Sequence, residues 1–329
     1  MAADKIPISV IVPVYNESSS IEECLTALIN QKGMNFPDDY ELIVVDDGST
    51  DDSVKKIEKY PVRLIRLDKN CGRIYTRKTG AENAGHRTLL FLDPRFIASN
   101  DLLESFQRVR YTPLIAGVNL RLEKDLTNPE VRFFFLIRRR YYYPYYPPDK
   151  KKGFVYITES NFNKVPKGTG CLFIQKELFL EAIPEKFTKH TSDDTKLFDY
   201  IVFKKHIPIL QHCGIKIYYK HRSDSKETVK MVIRRGVTYF DFYVRNNLFL
   251  KISILLVNSL FIFLFFCLII NPFCLLYGAG IGLAVYIGIT LFIIERPRDI
   301  FIVFTRLGKY LFYFYFGLMK GWILKDKKP

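Results

Sequence analysis

Residues 8–17 read ISVIVPVYNE, and residues 41–53 read ELIVVDDGSTDDS. In both, a short apolar run (Ile8–Val12, Glu41–Val45) stops at a polar cluster. Runs apolar at nearly every position fit strands covered on both faces. Between them, Ser20 precedes a helix expected over Ile21–Asn30, with Glu23 spaced as its capping-box partner. The alternation continues outward. A helix carries Val54, Ile57 and Glu58, Val62–Leu67 reads as a strand, Arg73–Ala84 as a helix and Thr88–Leu92 as a strand. Asn100 is placed to cap a helix running through Arg110, and Ile115–Leu120 reads as a fifth strand. Apolar strands separated by helices imply an α/β fold with a mainly parallel sheet flanked by helices. Ligands of such sheets sit beyond the carboxyl ends of the strands. Three polar tips lie there: Pro13–Glu17, Asp46–Ser49 and Asp93-Pro94-Arg95.

The middle of the chain changes character. Phe133–Pro148, FFFLIRRRYYYPYYPP, is basic, aromatic and interrupted by proline. It is too short and too charged to span a bilayer, and tyrosines beside arginines suit the interfacial zone of a membrane. A tyrosine-rich loop packed on the domain is the plainer reading. From Gly168 the α/β pattern resumes. Cys171–Ile174 reads as a strand followed by a helix from Lys176, Ser192 as the cap of a helix beginning Asp193-Asp194, and Ile215–Tyr219 as a strand. Ser225–Asn247 places Val229, Val232, Ile233, Gly236, Tyr239, Phe240 and Tyr243 on one helical face and Lys226, Lys230, Arg234 and Arg245 on the other.

Ile252–Ile270 is nineteen residues without a charge, and Phe273–Ile294 is twenty-two more. A membrane-spanning helix needs about 20. Joined by Asn271-Pro272, the two predict a transmembrane helical hairpin that returns through Glu295–Asp299 to its starting side. In Ile300–Leu324, by contrast, Arg306, Lys309, Tyr313, Gly317 and Lys320 recur as a polar stripe. Were it a third span, the basic tail Lys325–Lys328 would face outward, against the positive-inside rule. An amphipathic helix in the plane of the interface is expected instead.

The 329 residues carry a formal charge of +15. Nucleic acid, a phosphate-rich substrate or an anionic membrane could balance such an excess. No zinc-finger spacing, basic zipper or RNA-binding aromatic motif accompanies it, so nucleic acid is not expected as a partner. The six cysteines, Cys24, Cys71, Cys171, Cys213, Cys267 and Cys274, include no CxxC and read as buried free thiols in a reducing compartment. The start MAADKIPISV lacks signal-peptide character, so the first domain is expected on the cytosolic side.

With these motifs assembled, the chain resembles the family-two glycosyltransferases. PVYNE, VVDDGSTDDS, NCG followed by TRKTGAENA, and LLFLD occur in the order of that family, and GTGCLFIQKELF and TSDDTKL resemble its acceptor half. The resemblance spans roughly residues 6–222. It implies a GT-A-type, Rossmann-like domain over 1–224, with a nucleotide-binding half (1–120) and an acceptor half (121–224). A juxtamembrane helix (225–247), two membrane helices (248–294) and an interfacial helix with a basic tail (295–329) complete the expected organisation.

The resemblance also implies roles. Asp47 would read the base of a nucleotide-sugar, on a floor formed by Pro13, Tyr15 and Glu17. Gly72 and Arg77 fall in the donor-binding stretch, and an arginine's forked donors suit phosphate. Gly168, Thr169 and Gly170 would line the donor-sugar pocket, where small residues let the backbone approach. Arg234 and Arg235 fall where some relatives carry a basic motif at the pyrophosphate; a basic membrane-facing helix accounts for them equally. Asp193-Asp194 matches the family's acidic pair, with Asp194 as general base; alternatively, both cap the helix.

One departure stands out. The family holds a divalent ion, Mg or Mn, with an Asp-x-Asp pair after the fourth strand, whereas this chain has Asp93-Pro94-Arg95. Three readings stand. Arg95 supplies the missing charge, or Asp93 holds a metal with help from elsewhere, such as His221, or the domain is a degenerate, non-catalytic membrane scaffold. The expected activity is inverting transfer from a nucleotide-sugar, a UDP-sugar favoured, to a lipid-linked or membrane-proximal acceptor at a phospholipid membrane. The protein is then multi-pass, with its catalytic domain cytoplasmic. Transfer to a polyprenyl phosphate is the neighbouring alternative, and a processive synthase is disfavoured because two spans leave little room for a channel.

Overall fold

In this computed structural model the described residues are 5–109, 119–120, 126–145, 153–188, 191–212, 214–220, 225–270 and 272–324; the side chains of 119, 120, 193, 261, 264, 265 and 267–277 are outside that set. The first apolar run becomes β1 (Ile8–Val14), central in a five-stranded sheet. β2 (Tyr40–Asp46) and β4 (Thr88–Leu92) flank it, both parallel, and β3 (Arg63–Arg66) pairs parallel with β2. The fifth member is β8 (Cys171–Gln175), antiparallel to β4. The mainly parallel sheet is as expected. Its fifth strand is not Ile115–Leu120: within that stretch only β6 (Asn119–Leu120) is described, and it lies in a separate three-stranded sheet. That sheet orders β5 (Phe96–Ala98), β10 (Lys216–Tyr219) and β6, while β7 (Phe154–Ile157) and β9 (Ile209–His212) form a pair.

The apolar runs are explained by two cores. Val10, Val12, Leu90 and Leu92 face one, against α1 (Ile21–Ile29) and α4 (Leu102–Val109). Ile11, Ile43, Val45 and Phe91 face the other, with α6 (Lys176–Ala182) and α7 (Asp193–Asp199). Successive strand residues point to opposite faces, so a strand covered twice must be apolar throughout. The helix after β2 is the short α2 (Ser53–Ile57), and α3 (Arg73–Glu82) packs on β1 and β2.

Two expected caps do not form. The Ser20 hydroxyl turns to Glu17, 3.0 Å from Oε2, and not to the α1 backbone. Ser192 also makes no side-chain cap; its backbone N–H donates to Asp241 Oδ2 at 3.0 Å. The basic aromatic stretch is largely helical. α5 (Pro129–Tyr141) starts four residues before Phe133, with Pro129 at its first position and Asn128 Oδ1 accepting from Glu130 N at 2.9 Å.

α5 and the C-terminal helices share a third core, in which Phe133 and Leu136 meet Val232, Val303, Leu307 and Tyr310. α8 (Ser225–Tyr239) is shorter than expected and runs into a π-helical turn at Phe240–Val244. It lies along α11 (Asp299–Ile323), where a Cβ on Gly236 would come within 2.8 Å of the Gly317 Cα. Gly317 is therefore part of a helix–helix contact and not of a solvent-facing stripe. Arg306 and Lys309 of that stripe also turn to protein, to Glu130 and to Ser225.

α9 (Leu248–Ile270) and α10 (Pro272–Ile293) form the expected antiparallel pair of long helices. Among the described residues, no helix is long and apolar enough to cross a membrane; the unbroken apolar runs of this pair pass through side chains outside that set. The connector after α10 is locked onto α5. Arg132 donates to both Asp299 oxygens, at 3.0 and 2.8 Å, and lies 3.2 Å from Glu295.

Candidate functional site

The register of the sheet brings the polar tips together. Val14 pairs with Asp46, so β1 and β2 end level. Leu92 pairs with Cys171, so Gly168–Gly170, entering β8, meet the end of β4. There Asp93 N–H donates to Gly170 O at 2.9 Å. Gly170 must be small, because a Cβ would strike the Phe96 ring, whereas one on Gly168 would meet open space.

The first two tips are tied to each other. Asn16 Oδ1 accepts from Thr50 N at 2.8 Å, and Glu17 N–H donates to Ser53 Oγ at 2.9 Å. Pro13 is buried in β1 and Tyr15 is 44% exposed, leaving its ring available to a ligand. Asp47 faces inward and closes the next loop: Cys71 N–H donates to its Oδ1 at 2.7 Å, and Gly72 N–H to its Oδ2 at 2.9 Å. Gly72 has φ +93, a left-handed conformation suited to glycine, and it begins α3. Burial pushes the Asp47 carboxyl above its ordinary value, against the pull of these backbone donors and of Thr76.

Arg77, on the buried side of α3, joins two expected groups from opposite halves of the chain. Its Nη2 is 2.8 Å from Asp93 Oδ1, and its Nη1 is 3.4 Å from Asp194 Oδ1. Asp194 also accepts a hydrogen bond from the Thr169 hydroxyl. Burial would raise the Asp194 carboxyl, but the Arg73 and Arg77 cations and the Thr169 bonds outweigh it and hold it below its usual range. It is thus a carboxylate at neutral pH. A small cavity opens beside this trio, lined by Ile74, Arg77, Thr169, Phe179 and Leu197 among others.

Arg95 forks onto Glu17, Nε to Oε1 at 3.0 Å and Nη2 to Oε2 at 2.9 Å. Position 95 therefore offers a cation to the strand tips, and Asp93 already faces Arg77. Asp93 and Arg95 do not by themselves make a divalent-ion donor set, and among the described residues no three His, Cys, Asp or Glu cluster to hold one. His221 and the side chain of Asp193 lie outside the described residues. Arg235 sits over the Phe134 ring of α5 at 5.9 Å, and Arg234 beside it is exposed.

Sequence reasoning did not single out Arg73, Thr76 or Asp241. Asp241, buried in the π-helical turn, binds Ser192 N and lies 2.7 Å from Lys196, fixing the start of the helix that carries Asp194.

Residues 9–147 match the family model Glycosyl transferase family 2. Among curated proteins, the chain is 47% identical over 142 residues to a poly(ribitol-phosphate) beta-glucosyltransferase of Bacillus spizizenii, covering 38% of this chain and 22% of that protein. It is 40% identical over 100 residues to a dolichyl-phosphate beta-glucosyltransferase of Drosophila melanogaster, covering 27% of this chain and 30% of that protein. The match thus spans under a third of the length of either relative. Among solved structures, mannosyltransferase PcManGT from Pyrobaculum calidifontis, in complex with GDP-Man and Mn2+, superposes with a TM-score of 0.60 at 16% identity, over 98% of this chain and 88% of that one. That likeness concerns the fold. The family match and the named relatives support a glycosyltransferase enzyme.

Proposed function

We propose that this chain is an inverting glycosyltransferase that moves a sugar from a nucleoside-diphosphate donor, a UDP-sugar favoured, to a lipid-linked or membrane-proximal acceptor. The observation that carries it is the bridge Asp93–Arg77–Asp194, which sets an ionised carboxylate from the acceptor half against the donor-side strand tips. Asp194 takes the proton of the acceptor hydroxyl, and the hydroxyl oxygen attacks the anomeric carbon. The bond from that carbon to the diphosphate oxygen breaks, and the nucleoside diphosphate leaves. One displacement inverts the configuration. Asp47, Tyr15 and Pro13 hold the base and ribose, and Gly168–Gly170 admit the sugar.

The membrane half of the proposal is supported by the sequence and by exposure. The uncharged runs Ile252–Ile270 and Phe273–Ile294 fall on α9 and α10, where Leu256, Phe263 and Ile281 are 64, 63 and 68% exposed. An apolar surface of this kind is stable in lipid and not in water. Anchored there, the cytoplasmic-face domain meets its acceptor in two dimensions, which raises the effective concentration. The name of the Drosophila relative keeps a polyprenyl phosphate within the acceptor class.

The test is nucleoside-diphosphate release by the purified full chain with a panel of nucleotide-sugars and polyprenyl acceptors. Asp194→Asn should lower turnover by about 10²–10⁴-fold, the usual worth of a general base, while donor binding persists. Undiminished turnover in that variant rejects the assignment.

A further inference from the structure

Two arginines reach the strand tips, and they are held differently. Arg77 is sunk at 3% side-chain exposure between Asp93 and Asp194. Arg95 keeps 15% side-chain exposure, and its main chain is fixed, Lys220 N–H donating to Arg95 O at 2.8 Å. Its guanidinium grips both oxygens of Glu17, at 3.0 and 2.9 Å. Glu17 follows Tyr15 on the β1 tip, on the nucleotide side of the site. A guanidinium fork on a carboxylate has the geometry by which the same group takes two oxygens of a phosphate. Glu17 also has a second partner in place, the Ser20 hydroxyl at 3.0 Å. This is why Ser20 does not cap α1.

The leaving diphosphate gathers negative charge as the sugar departs, and that charge needs a fixed positive group. The residues at the end of β4 offer a guanidinium at position 95, and a carboxylate at 93 already engaged by another guanidinium. We propose that Glu17 occupies Arg95 in place of the donor, and that a nucleoside diphosphate displaces Glu17, so that the Arg95 fork holds the diphosphate with no divalent ion required. The inference rests on the donor reading above and goes beyond it by naming the group that binds the leaving phosphate. The Glu17 carboxylate is then a competitor for the donor, and removing its charge should favour the donor.

Calorimetric titration of the purified full chain with UDP, GDP, uridine and guanosine, each in chelator and in Mn2+, tests this. Diphosphate affinity in wild type should change less than about 2-fold between chelator and Mn2+. Arg95→Ala should weaken the diphosphate by about 10-fold or more, the loss of one charge-assisted bond, and leave the nucleoside unchanged. Glu17→Gln should tighten the diphosphate by roughly 3–10-fold, the sign opposite to that of a residue that merely builds the pocket. A Mn2+ requirement in wild type overturns the inference, as does weaker diphosphate binding in Glu17→Gln, or equal losses of diphosphate and nucleoside in Arg95→Ala. If neither diphosphate binds under any condition, the donor reading itself fails.

Discussion

Arg77→Met separates an electrostatic role for the central arginine from a packing one. The side chain is 3% exposed and lies 2.8 Å from Asp93 and 3.4 Å from Asp194. Methionine keeps an apolar stem against Ile74 and Leu197 and removes the charge. A unit charge pair at 3.4 Å is worth about 5 kcal/mol at an effective dielectric of 20 and about 1 in bulk water. Breaking a fully buried pair costs about 3–5 kcal/mol. The two carboxylates are 24 and 28% exposed, so water screens part of the loss, and the expected cost at pH 7 is about 2–3 kcal/mol. That corresponds to about 4–12 °C in Tm. The pH dependence carries the argument. The Asp194 carboxyl is held low in the folded protein, so its contribution is present above the ordinary aspartate range and is lost as pH falls through its folded value. Wild type gives up this stability on acidification. In the variant a protonated carboxyl needs no cation. The Tm gap should therefore narrow steadily as pH is taken from 7 to below the ordinary aspartate range. Thermal unfolding of both full chains across that range is the assay. A gap that is the same at both ends means Arg77 acts through packing, and the electrostatic account is wrong.

Two further outcomes follow from the C-terminal packing. Gly317→Leu should part α8 from α11, because a side chain there enters the Ile233 carbonyl and the Gly236 Cα; the cost is about 1–3 kcal/mol or more, read as a lower Tm and faster proteolysis within α8. Asp299→Ala leaves Arg132 buried with Glu295 alone and strips an acceptor from Arg296 N. It should destabilise by about 3–5 kcal/mol, and the double variant with Arg132→Met should recover much of the loss; no recovery means that the pair is not coupled.

Much of the domain was legible because local chemistry and global position agree. Ile8–Val12 reads as a doubly covered strand, since four β-branched apolar residues in a run of five leave neither face polar, and both faces are buried. The tips of β1 and β2 were legible for the same reason, as polar residues at the end of a buried strand can only emerge at the sheet's edge. The π-helical turns, α5 as a core helix, and β8 as an antiparallel partner were not. Phe133 and Leu136 look interfacial in sequence and become core only because α8 and α11 fold back over them. Ser20 shows the same limit. Its sequence position marks a cap, yet a carboxylate three residues upstream competes successfully for the hydroxyl.

The sequence by itself determined the strand–helix alternation, the polar tips, the arginine in place of an expected carboxylate, and the two long uncharged runs. These are properties of neighbours along the chain, set by periodicity and side-chain type. Only the tertiary structure decided the partners. Arg77 meets Asp194 across 117 positions, Arg95 meets Glu17 across 78, and Arg132 meets Asp299 across 167. Charge pairing acts through space and leaves no periodic trace in sequence. The role of ISVIVPVYNE is thereby completed: its apolar half builds the centre of the sheet, and its last residue pairs with Arg95.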